Sequence, residues 1–175
     1  MSPANPLLVP STLPYGLPDF SAIRDEHVMP ALEEALRRHT AEIAAIADSP
    51  EEPTAANTVV ALEQSGQDLA RVLGYFYTVA GADATEERLR MEAEISPLLA
   101  QHSDDMYMNP QLFHRIDAVF QTLPESVGSI EAKGGVTAAQ LEAETVALAQ
   151  RYHDLFLRHG AGLSAEAQAC LLYTS

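Results

Sequence analysis

Leu32, Leu36, His39, Ile43 and Ile46 follow one another at steps of 4, 3, 4 and 3, the spacing of one face of an α-helix. The seam predicts a helix from about His27 to Asp48. Pro30 falls in its first turn, where a missing N–H costs nothing. Glu33–Arg37 and Glu34–Arg38 form favourably ordered i,i+4 pairs on another face, and the run Ser49-Pro50-Glu51-Glu52-Pro53 ends the helix. A second seam of Leu62, Gly66, Leu69, Leu73, Phe76 and Ala80 predicts a helix capped by Asn57 and closed at Gly81. Gly66 within it lets a neighbouring helix approach closely. Met91, Ile95, Leu98, His102 and Met106 form the seam of a third helix opening at Thr85, with Pro97 expected to kink it.

The pattern continues to the end of the chain. Asn109-Pro110 starts a fourth helix with Leu112, Phe113, Ile116, Val119, Phe120 and Leu123 on its face, and Pro124 stops it. Residues 127–136 hold three glycines and read as a loop. Thr137 caps a fifth helix bearing Leu141, Thr145, Leu148, Tyr152, Leu155 and Phe156, which ends at Gly160. Ser164 has the character of a further N-cap. No segment shows sustained period-2 alternation, alanine and leucine dominate, and tryptophan is absent, so the fold class is all-α. Short connections imply antiparallel helical hairpins packed as a bundle.

Residues 1–26 stand apart. Pro3, Pro6, Pro10, Pro14 and Pro18 forbid a helix and favour an extended arm. Leu7, Leu8, Leu13, Tyr15 and Phe20 are too apolar for a solvated tail, and predict that the arm packs on the helical body from residue 27 onward.

The 175 residues carry 10 Lys and Arg against 25 Asp and Glu, a net charge of −15. Such a surface repels nucleic-acid phosphates and anionic membranes, so neither is an expected partner. One cysteine, Cys170, excludes an internal disulfide. No stretch approaches the roughly 20 apolar residues of a membrane span, and no signal-peptide pattern opens the chain. The composition is that of a cytoplasmic protein.

Chemistry is sparse. No two of His27, His39, His102, His114, His153 and His159 are spaced i,i+4, and neither H-E-x-x-H nor a Glu-x-x-His pair occurs. No metal, cofactor or catalytic residue is therefore assigned to this chain. His39 and His102 lie in apolar seams and read as half-buried residues with a hydrogen bond, ahead of any catalytic role. His27, beside Asp25 and Glu26, reads as part of a helix-start cluster. Tyr75, Phe76, Tyr77 and Tyr107 read as core sooner than as a groove. Ser21, Ser65, Ser103 and Ser164 lack a G-x-S-x-G context, and no phosphate-binding glycine motif is present.

Ordered strings say more than the composition. Asn5-Pro6-Leu7-Leu8, Leu13-Pro14-Tyr15 and Pro18-Asp19-Phe20 are followed by Ile23-Arg24-Asp25-Glu26-His27 and Pro30-Ala31-Leu32. Then come Pro53-Thr54, Asn57-Thr58, Leu62-Glu63-Gln64-Ser65-Gly66, Leu69-Ala70-Arg71-Val72, Asn109-Pro110-Gln111-Leu112-Phe113 and Gly160-Ala161-Gly162-Leu163. In this order and spacing, from about Asn5 to Ala169, the chain resembles the N-terminal part of thimet-oligopeptidase-like zinc metallopeptidases, a family of peptidyl-dipeptidases and oligopeptidases. Ala55-Ala56 departs from it, since an aromatic residue usually follows Pro-Thr there. The resemblance implies a larger, two-lobed helical peptidase acting on short peptides. Its zinc would sit in a downstream part of the parent, with this region helping to wall the substrate channel. No residue here matches the family's zinc or catalytic positions.

The expected organisation is a Pro-rich arm over residues 1–26, an incomplete helical region over 27–169, and a tail over 170–175. Cys170-Leu171-Leu172-Tyr173-Thr174-Ser175 matches a translation of the transposon-end adapter used in sequencing-library preparation, and reads as non-native. The alternative to an inactive peptidase fragment is a self-contained acidic helical binding or scaffold domain without enzymatic activity.

Overall fold

The computed structural model describes residues 5–123 and 138–163, the last group as main chain alone over 138–142. Pro124, the loop expected at 127–136, the Thr137 cap, the N-cap at Ser164 and the tail from Cys170 lie outside the described residues. Within them the chain is all-α, with no strand. The helices are α1 (Val28–Ala47), α2 (Ala61–Gln64), α3 (Gln67–Ala82), α4 (Glu86–Tyr107), α5 (Pro110–Gln121) and α6 (Ala138–Arg158). They form two compact units, Met1–Glu42 with Ser65–Ser103, and Ile43–Gln64 with Asp104–Ser175.

The core of the first unit gathers Val28, Leu32, Val72, Phe76 and Ile95, all fully buried, with Leu7 from the arm. Each such side chain contributes about 1.5–3 kcal/mol by leaving water. Leu7 is held there by a short 3₁₀ turn, Pro6–Leu8. Asn5 caps that turn through Oδ1, which accepts from Leu7 N at 3.0 Å, while its Nδ2 donates to the His27 carbonyl at 2.8 Å. Ion pairs bind the helices: Arg88 Nε donates to both oxygens of Asp25, at 3.0 and 3.2 Å. Arg38 joins Glu34 to Asp68, and Asp68 in turn accepts from Arg71. Arg37 pairs with Glu34 at i,i+3, not with Glu33 as the i,i+4 spacing suggested. The two guanidinium groups hold the Glu34 carboxyl down at about 2.

The arm packs only in part. Leu7 is buried, but Leu13 and Phe20 are about half exposed and Tyr15 wholly so. The expectation that Leu13 and Tyr15 fold onto the helices is therefore corrected, whereas Phe20 lies against the α3 residue Tyr75, with ring centroids 5.6 Å apart. The turn Pro14–Gly16 carries Tyr15 away from the core and holds it at φ 60°.

The predicted second helix is also two pieces. Gly66 sits in the left-handed region at φ 70° and separates α2 from α3. Its N–H donates to Glu42 Oε2 at 2.7 Å, and a Cβ there would lie 3.1 Å from the His39 ring. The close approach read from Gly66 is real, but it is made by a side chain at a break, not by a helix at a seam. α4 continues through Pro97 as one helix.

In the second unit, α5 and α6 pack on one another and on a π-helical turn, Ala56–Val60. Ile43, Val59, Leu112, Ile116, Val119, Ala149 and Phe156 form its core. Asn57 does not cap the helix as expected. Thr54 accepts from Asn57 N at 3.1 Å and donates its own N–H to Asn57 Oδ1 at 2.8 Å, the reciprocal pattern of a capping box. Asn109 caps α5 as expected, accepting from Gln111 N and Leu112 N.

Candidate functional site

The sequence placed no catalytic or metal residue, so the site is sought among side chains whose chemistry the fold brings together. In the first unit α1 delivers His39 and α4 delivers His102, because each stands in the apolar seam that its helix turns inward. His102 Nε2 lies 2.9 Å from His39 Nδ1, with ring centroids 4.9 Å apart. His39 Nε2 lies 3.0 Å from Ser65 Oγ, at the break before α3. His102 Nδ1 approaches Thr40 Oγ1 at 3.5 Å, and Thr40 donates to the Leu36 carbonyl.

A serine, a histidine and a second histidine in line have the form of a nucleophile and its base. The surroundings do not complete it. The Gly66 N–H next to Ser65 already donates to the Glu42 carboxylate, so negative charge occupies the place where an oxyanion would need donors. The cluster is a clasp joining α1, α4 and the α2–α3 break.

The clasp is sensitive to pH. The bond between the rings needs one donor and one acceptor, so it survives with at most one ring charged. Burial, with the facing His102 second, lowers the pKa of His39, while Glu42 opposes them more weakly. The unfolded chain then binds more protons than the folded one below about pH 6.5, and stability falls as pH falls through that window. Urea midpoints are expected to drop between pH 7 and 5.5, and His39→Gln to flatten that part of the profile. The depressed carboxylates Glu34 and Asp68 act only at lower pH, from the ordinary carboxylate range downward. An unchanged slope in His39→Gln would place the titration elsewhere.

The other candidates resolve into structure. His27 Nδ1 accepts from Arg24 N at 3.1 Å, a capping contact at the start of α1. Tyr75 and Phe76 are buried in the first unit's core, while Tyr77 is exposed. Tyr107 belongs to the second unit, where it meets Phe156 edge-on and stacks on His159 at 4.2 Å. His153, largely buried, lies between Phe113 and Phe120 with Nε2 3.2 Å from Asp117. Tyr152 donates to Glu63 at 2.6 Å, and burial, then that bond, pushes its phenol well up.

Arg115 is the feature that sequence reading missed. It is 5% exposed and has no carboxylate partner among the described residues; its guanidinium donates to the Ser49 and Glu51 carbonyls at 3.0 and 2.8 Å and to Asn57 Oδ1 at 3.1 Å. It gathers the turn after α1 onto α5. The available signal was an arginine inside an apolar face with no acid three or four residues away.

Among the described residues, no group of three or more His, Cys, Asp or Glu side chains is placed to hold a metal ion. The described residues do not fit a zinc centre. No described helix is long and apolar enough to cross a membrane.

No family model matches the chain. Against curated proteins it is 39% identical over 171 residues, 98% of its length, to dipeptidyl carboxypeptidase of Escherichia coli strain K12. Over nearly its whole length the chain is similar to part of a dipeptidyl carboxypeptidase. It is equally 39% identical, over 167 residues and 95% of its length, to the Salmonella typhimurium protein of the same name. In both cases the match spans 23% of the relative, about a quarter of its length. The likeness to a dipeptidyl carboxypeptidase runs through both units, so the arm, the histidine clasp and the Arg115 turn all lie within it.

Proposed function

We propose that this chain is the N-terminal part of a zinc-dependent peptidyl-dipeptidase acting on short peptides, and that it forms part of the wall of the substrate channel. The carrying observation is 39% identity over 98% of the chain to a dipeptidyl carboxypeptidase of which it spans 23%. The zinc and the groups that use it belong to the remainder of that parent. There the metal would polarise the scissile carbonyl and activate water. In the first unit α1 and α4 are tied by the histidine clasp, and in the second the turn after α1 is tied by Arg115. A net charge of −15 favours a soluble parent in the cytoplasm.

The test compares two proteins. The product of the complete gene is expected to release dipeptides from the carboxyl end of a blocked tetrapeptide and to lose that activity to a chelator, with recovery on adding zinc. The 175-residue chain is expected to cleave nothing and to bind no zinc by calorimetry. A complete product without peptidase activity would favour the helical scaffold reading. Stoichiometric zinc on the 175-residue chain would contradict the assignment of the metal to the remainder.

A further inference from the structure

Among the described residues ten large apolar side chains are exposed, and five of them, Val9, Leu13, Tyr15, Leu17 and Phe20, fall within twelve consecutive residues of the arm. Tyr15 is the extreme, at 100% exposure and with the sole positive φ of any non-glycine residue described. A bulky aromatic in the left-handed region is strained, and none of the described residues covers its ring to offset that. Beside it the arm borders a mainly apolar cavity of about 340 Å³ that includes Val9, Leu13 and Gly16, with Asp19 and Arg71 at its wall. In a chain of net charge −15, residues 1–18 carry no charged side chain at all. Depletion of charge, an exposed aromatic and an adjoining apolar hollow are the composition of an interface core.

We propose that the Val9–Phe20 part of the arm is a docking element for the remainder of the parent polypeptide, with Tyr15 entering an apolar pocket there and the arm cavity receiving an apolar side chain in return. This rests on the reading that the chain is part of a longer peptidase, and the occupant follows from length. The relatives extend over roughly four times the span matched here, so the polypeptide able to cover the arm is the larger part of the same protein. A second copy is the weaker occupant, because two chains of net charge −15 repel one another.

Hydroxyl-radical footprinting reads this residue by residue. In the 175-residue chain Tyr15 and Phe20 are expected to react rapidly and independently of protein concentration. In the complete gene product their rates are expected to fall several-fold, while exposed Leu89 of α4 serves as an internal reference. Tyr15→Gly gives the opposite signs in the two proteins: relief of φ 60° raises the melting temperature of the 175-residue chain, and loss of the ring lowers that of the complete product. Equal reactivity of Tyr15 in both proteins, or a rise in melting temperature in both, would overturn the proposal. Protection that grows with concentration in the 175-residue chain would also overturn it, in favour of self-association. A peptidase assay on the same complete product separates the two readings. An inactive product that shields Tyr15 leaves the docking and removes the enzyme, and an active one with a reactive Tyr15 does the reverse.

Discussion

Arg115→Met should cost the chain about 3–4 kcal/mol, a large part of the 5–15 kcal/mol by which domains of this size are stable. The arginine sits in the second unit with almost no solvent contact, and its bonds all run to one segment, the Ser49–Thr58 turn. Methionine preserves much of the volume but donates nothing. The Ser49 and Glu51 carbonyls and Asn57 Oδ1 then each lose a charged donor, and each of these part-buried bonds costs about 1–3 kcal/mol, less whatever water recovers. Asn57 is also tied to Thr54 and to the Glu52 carbonyl, so the capping box before the π-helical turn loosens with it. Arg115→Lys should recover less than half of the loss, because one ammonium cannot span acceptors that a planar fork reaches. Urea denaturation followed by circular dichroism measures both. A loss below about 1 kcal/mol in Arg115→Met would mean that the turn rehydrates freely and that Arg115 does not organise it.

Gly66→Ala is the second large effect, at about 2–3 kcal/mol. Roughly 1–2 kcal/mol comes from placing a Cβ in the left-handed region. The remainder comes from the His39 ring, three of whose atoms lie 3.1–3.2 Å from where that Cβ would be. The ring cannot retreat without stretching its bonds to Ser65 and His102. Gly74→Ala is the control. Gly74 lies inside α3, is exposed, and has nothing within 4 Å of a Cβ. There alanine should stabilise by about 0.5–1 kcal/mol through helix propensity. If both substitutions had the same sign, the break at Gly66 would not be a fixed element of the fold.

These two residues mark where reading the sequence stopped being enough. The helices were legible because burial is periodic. The seam of Leu32, Leu36, His39, Ile43 and Ile46 names α1, and Asn109-Pro110 names the first turn of α5, from local physics alone. The all-α class and the likeness to dipeptidyl carboxypeptidase were likewise contained in the order of residues. Gly66 misled because it keeps the seam's 4-3 step. Only its contact with His39 and Glu42, more than twenty positions away in sequence, shows that the backbone turns there. Local strings also promised burial to Leu13 and Tyr15, which hydrophobicity alone cannot guarantee. Burial needs a surface to receive the side chain, and Leu7 finds one among α1 and α3 where Tyr15 does not.

The sequence by itself determined which segments are helical, where most of them begin, that the chain is strongly acidic, and which proteins it is related to. Those properties depend on residue type and on neighbours three or four positions away. The tertiary structure alone decided that His39 meets His102 across 63 positions, that Arg115 closes the turn after α1, and that the tip of the arm stays in solvent. Such contacts join residues remote along the chain. A pattern along one dimension names the face a residue stands on, and only packing chooses the partner it meets there.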